Sequence, residues 1–238
     1  MTTTVAGVDG CRAGWYVVLW DTENNRFSGG VQADFSGVLA FAESAEQVAV
    51  DIPIGLLDHA LPGGRICDVY ARKRLHPNRM SSVFSAPVRK ALDAETYTEA
   101  LALNRDSSHY DRGLSKQCFG ILPKIREVDR LMTPDLQKRV REIHPELSFF
   151  ALNGDFPLNH AKRTPDGLAE RLDLLVRAGF APLIAQNLGA RLEGAEPDDL
   201  LDACAACWSA RRIVEGAATA LPPEPHRDAR GLCMQIWY

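Results

Sequence analysis

Four apolar runs within the first 56 residues constrain this chain more than any other feature. "VAGV" at 5–8, "AGWYVVLWD" at 13–21, rich in aromatic and β-branched residues, and "RFSGGVQAD" at 26–34, after the turn at "TENN", read as strands separated by only a few residues each. Connections this short permit antiparallel hairpins and leave no room for a crossover. "FSGVLAFAES" at 35–44 then reads as a short helix with Asp34 or Ser36 as its cap. "EQVAVDIPIGL" at 46–56 is a further buried strand, Val48 to Ile52, stopped by Pro53. A right-handed crossover through the helix lays this fourth strand parallel to the first. Asp9 and Asp51 each end an apolar strand run, so the arrangement sets the two carboxylates side by side at one sheet edge. Gly7 and Gly10 beside Asp9 allow close approach of backbone or substrate.

Residues 55–135 read as an inserted region of helices and loops within a single domain spanning 1–238. The stretch 65–141 holds 16 Lys/Arg against 9 Asp/Glu, whereas the rest of the chain holds 11 against 22. A basic middle segment in an acidic chain suits a polyanion-facing surface beside a carboxylate-rich site. Arg72 and Lys73 in "ARKRL" and Lys116 in "GLSKQ" are its candidate phosphate contacts; solvated helix faces would produce the same pattern. "VREIHPELSFFALNG" at 140–154 begins as a fifth strand carrying Glu146 near its end. Strand alternation then puts Glu142, His144 and Glu146 on one face. Glu146 is a candidate metal ligand or neighbouring acid, and His144 either positions water or hydrogen-bonds within the core. "TPDGLAERLDLLVRAG" at 164–179 is a capped helix, and "GLCMQIWY" reads as a final strand.

The helix expected over 196–216, "EPDDLLDACAACWSARRIVEG", carries Asp199 and Asp202 at i, i+3 on one face. Ala203, Ala206 and Ala210 continue that face, so the helix can lie close to a sheet and project both carboxylates over its edge. Acid residues favour a helix start, which accounts for Asp198 and Asp199 but poorly for Asp202, beyond the first turn.

Other classes fit less well. No stretch approaches the ~20 apolar residues of a membrane span, and "MTTTVAGVDG" lacks the regions of a signal peptide, so no membrane partner is expected and the cytoplasm is the expected compartment. The six cysteines are scattered. Only Cys204 and Cys207 are close, and no second pair completes a zinc site; they read as a redox pair or as two small apolar groups on a buried helix face.

Acids converging from two strand tips and a helix repel one another and call for multivalent cations. Two-metal centres hold ions ~3.5–4 Å apart with bridging carboxylates, and oxygen-only ligands favour Mg²⁺ or Mn²⁺. Asp9, Asp51, Asp199 and Asp202 are the expected ligands and, with Glu146, the expected catalytic residues of a metal-dependent nuclease acting on DNA or RNA. "VAGVDGCRAGW", "VAVDIPIGL", "SSVFSAP", "GLSKQCFGI", "EIHPELSF" and "DDLLDACAACW" resemble the motif series of domain of unknown function family 429, described as predicted RNase H-like nucleases. The resemblance implies an α/β, ribonuclease H-like fold: a mixed five-stranded sheet flanked by helices, with a largely helical insertion after the fourth strand. It also implies a metal site on the first strand, fourth strand and last helix. The chain is more distantly similar to RuvC-type resolvases, whose last helix carries an Asp-x-x-Asp pattern as at 199–202. Those enzymes usually have glutamate where this chain has Asp51. Two rivals share the fold: a non-catalytic nucleic-acid-binding protein, and an actin-like phosphotransferase, whose phosphate loop "DGCRAG" loosely resembles but whose second glycine-rich loop is not found.

Overall fold

The computed structural model describes residues 3–187 and 194–238. β1 (Thr4–Cys11), β2 (Gly14–Asp21) and β3 (Arg26–Gln32) form an antiparallel meander. α1 (Phe35–Phe41), capped by the Asp34 carboxylate on the Gly37 amide at 2.7 Å, carries the chain over to β4 (Gln47–Val50). β4 pairs parallel with β1, and β5 (Val140–Glu142) pairs parallel with β4. The order β3-β2-β1-β4-β5 makes a mixed five-stranded sheet flanked by helices, an α/β fold consistent with the ribonuclease H-like expectation.

Between β4 and β5 the chain forms α2 (Ile66–Arg74), α3 (Tyr97–Asp106), α4 (Lys116–Gly120) and α5 (Leu122–Leu131), joined by loops and short 3₁₀ turns. α6 (Pro145–Leu152), α7 (Pro165–Leu175), α8 (Ala181–Asn187) and α9 (Pro197–Val214) follow β5. β6 (Ala220–Arg227) and β7 (Cys233–Trp237) close the chain as an antiparallel pair. No helix among the described residues is long and apolar enough to cross a membrane.

One element differs from expectation. The fifth strand stops at Glu142, and Glu146 lies in the first turn of α6. Pro145 fixes a helical φ at the first helical position, and His144 caps the helix by accepting the Glu146 amide on Nδ1 at 3.2 Å. Glu142, His144 and Glu146 therefore do not share a strand face. The expected final strand forms as β7, which pairs with β6 in a separate ribbon and bridges through Trp237 to Ile143, just past β5.

The sheet separates two cores. Alternation along β1 turns Ala6 and Val8 toward a cluster with Val38, Ile125 and Val128, and Val5 and Cys11 toward α9. The same alternation puts Gly7 and Asp9 on the α9 side. Along β4, Val48 and Val50 face the first cluster and Ala49 the second, so Asp51 follows Ala49 onto the α9 side. α9 lies so close on β1 that a Cβ at Gly7 would overlap the Ala203 carbonyl and the Cys207 backbone. Ala203, Ala206 and Ala210 are fully buried in this contact, as the small-residue face of the helix requires.

Candidate metal centre

The parallel register pairs Val8 with Val50, and the Asp51 amide donates to the Val8 carbonyl at 3.0 Å. Asp9, still within β1, and Asp51, the first residue after β4, therefore stand side by side where the two strands stop pairing. α9 crosses above them, and the close approach at Gly7 sets the height of Asp202 over the strand tips. One carboxylate oxygen from each of Asp9, Asp51 and Asp202 lies within 4.8 Å of the other two, a spacing that a single cation can bridge. Asp9 and Asp202 are buried and Asp51 is half-buried.

Like charges out of water resist ionisation. Burial, then the charges of Asp202 and Asp51, push the Asp9 carboxyl well above the usual carboxylate range. Burial also raises Asp51, against the influence of His144 and Lys162. Asp202 is pushed up to about 6 by burial, although Lys162 pulls it the other way. The Lys162 ammonium donates to Asp202 Oδ2 and stands 3.2 Å from Asp198 Oδ2. Burial alone would lower the pKa of Lys162, but Asp202, Asp9 and Asp198 more than offset this and hold it above the ordinary lysine value.

A cavity of about 260 Å³ opens beside the cluster. Asp51, Asp202, Glu146 and Lys162 line one part; Arg79, Ser81, Ser82, Phe84, Gln117, His144 and Pro145 complete the wall. Glu146 is buried, and its Oε1 takes a hydrogen bond from the buried Arg171 guanidinium. Its Oε2 has no hydrogen-bond partner among the described residues. His144 Nε2 faces the Ser82 carbonyl at 3.4 Å, so with Nδ1 accepting an amide the imidazole carries its proton on Nε2.

The other sequence-derived candidates are dispersed. The Asp199 carboxylate accepts the Glu196 amide at 2.8 Å at the start of its own helix. It adds to the field at Asp9 but is not one of the three clustered acids. Lys116 is exposed at the start of α4, next to the cavity-lining Gln117. Arg72 on α2 donates to the carbonyls of Val83 and Gly63, and Lys73 lies 5.8 Å from the Tyr70 ring centroid; neither lines the cavity beside the carboxylates.

Below the site, Arg65 is 2% exposed and forks onto Glu142, with bonds of 2.6 and 2.8 Å, and onto Asp68 at 2.7 Å. The same guanidinium donates to the Ile54 and Gly55 carbonyls, both at 3.2 Å, and Glu142 accepts the Ile54 amide at 2.7 Å. Every partner of this buried charge is satisfied, which pins the segment just after Asp51. Lys162, Arg171, Arg79 and Arg65 escaped the sequence reading. Each lies outside any chemical motif, and only the Arg65–Asp68 pair had a spacing (i, i+3) that could have drawn notice.

A search of curated proteins and a search of solved structures each gave no match. The family model described as "Protein of unknown function (DUF429)" matches residues 7–227, a span containing all three clustered aspartates. The chain therefore belongs to the DUF429 family.

Proposed function

We propose that this protein is a metal-dependent nuclease that holds Mg²⁺ or Mn²⁺ on Asp9, Asp51 and Asp202 and hydrolyses phosphodiester bonds of nucleic acid. The observation that carries the reading is the meeting of three carboxylates from two strand tips and a helix within 4.8 Å. The donors are all oxygens, which suits a hard divalent ion. Burial first, and neighbouring acids second, raise the carboxyls of Asp9, Asp51 and Asp202, a cost of ionisation that a bound cation would relieve.

The chemistry supplied by such an ion is activation of water and stabilisation of the departing oxygen. The chain's own groups divide the remaining work. Arg79, anchored by Nε to the Leu158 carbonyl at 3.1 Å, offers charge to a phosphate in the cavity, and Gln117 and Ser81 offer polar contacts. Glu146, whose Oε2 is unpartnered among the described residues, is the acid on the same wall with an acceptor left over. Lys116 and the basic 65–141 segment draw the rest of the polyanion to the surface.

Cleavage of labelled single-stranded and duplex DNA and RNA, with Mg²⁺, Mn²⁺ or EDTA, tests this. Metal-dependent cleavage is expected, with Asp9→Asn and Asp51→Asn each losing it by about 100-fold or more while keeping the native circular dichroism. Cleavage that survives either substitution contradicts the assignment, and binding without cleavage favours a nucleic-acid-binding protein.

A further inference from the structure

We infer, resting on the metal-dependent reading above, that the centre holds one divalent ion and that the Lys162 ammonium stands where a dinuclear centre would need its second cation. Three carboxylates meet at the site, and one ammonium is bonded to one of them, at Asp202 Oδ2. Within the three-carboxylate cluster that leaves two negative charges, the complement of a single divalent ion; Asp198, with a third of its side chain exposed, shares the same ammonium from outside the cluster. Each of the acids that a second ion would draw on already has one oxygen engaged. Asp199 accepts the Glu196 amide at 2.8 Å, and Glu146 Oε1 is bonded to the buried Arg171 guanidinium.

Lys162 is held in place rather than left to reach in from solvent. Its side chain is 33% exposed, and its ammonium is also 3.2 Å from Asp198. The loop that carries it is fastened by the buried Leu158, whose carbonyl takes Arg79 Nε at 3.1 Å. A separate feature points to a bound ligand at this place. The Glu146 side chain is only 9% exposed and its Oε2 is unpartnered among the described residues, yet it lines the same cavity as Asp51, Asp202 and Lys162. A coordinated water beside one ion would satisfy it.

Titration of metal-stripped full-length protein with MnCl₂, by calorimetry and by electron paramagnetic resonance, tests the inference. Wild type is expected to take up one ion per chain and to show an uncoupled mononuclear Mn²⁺ spectrum. Lys162→Met, with a positive charge removed a few ångströms away, should bind the first ion about tenfold or more tightly and take up a weaker second ion. Lys162→Arg should stay at one. Two ions per wild-type chain with an exchange-coupled spectrum would overturn the inference and leave the nuclease reading standing. A Lys162→Met protein with wild-type stoichiometry and affinity would remove Lys162 from the account. If that variant fails to fold, the wild-type count alone decides between one ion and two. No Mn²⁺ binding at all would contradict the metal-dependent reading itself.

Discussion

Burying three carboxylates within 4.8 Å of one another costs folding free energy, because each loses water and repels the other two. Asp9 bears most of this: its pKa is raised well above the ordinary value, whereas Asp202 has Lys162 beside it. Asp9→Asn should therefore raise the melting temperature in EDTA near neutral pH, at about 2–4 °C per kcal/mol for a chain of this length. It should also shrink the rise produced by Mn²⁺. A carboxylate whose pKa is higher folded than unfolded keeps protons that the unfolded chain has lost. The penalty is thus absent below the unfolded carboxylate pKa and grows as pH rises through the folded values. For Asp202 that window runs from the ordinary aspartate value of 3.8 to about 6, and for Asp9 the folded limit is also raised. The advantage of Asp9→Asn over wild type in EDTA should widen across this range; thermal scans showing a constant difference would contradict the burial of these charges. Asp9, Asp51 and Asp202 were legible because each follows or interrupts an apolar run with no structural need for a carboxylate. Lys162 was not, because a lysine in a loop carries no local signal of what its flexible stem will reach.

At the scale of elements, the contact between β1 and α9 fixes the height of Asp202 over the sheet. Gly7→Ala would drive a methyl group into the backbone of α9, with no flexible side chain to yield. A loss of about 3 kcal/mol or more is expected, together with weakened metal binding as the helix lifts. Gly30→Ala, on β3 with open space around the new Cβ, is the control and should change stability by less than about 1 kcal/mol. Denaturant unfolding of the two variants measures this, and equal effects would contradict the close packing. The first four strands were readable because short connections and apolar alternation left one pairing scheme. The fifth misled because an alternating polar pattern ran on past Glu142, while His144–Pro145 had already begun a helix. β6 was overlooked because its three prolines argue against a strand; a two-stranded ribbon with an irregular register between Leu221 and His226 tolerates them.

Across the whole molecule, the net-basic segment 65–141 supplies Arg79 and Gln117 to the cavity beside the clustered carboxylates, the surface that the proposed function turns toward nucleic acid. If that surface tracks phosphates, the logarithm of affinity for duplex DNA should fall linearly with the logarithm of salt concentration, by ~0.9 per phosphate neutralised. Reversing the charge of Lys116, which neighbours the cavity-lining Gln117, should flatten the slope by about one unit, whereas Arg72, tied to two backbone carbonyls, should matter less. Fluorescence anisotropy over a salt series measures both, and a slope near zero would leave the basic segment as ordinary surface. The central claim is that Asp9, Asp51 and Asp202 form a metal centre, and anomalous diffraction from crystals soaked in Mn²⁺ tests it most directly. One anomalous peak is expected, within ligand distance of all three carboxylates and absent from Asp9→Asn crystals. No peak between these residues at saturating Mn²⁺ would contradict it.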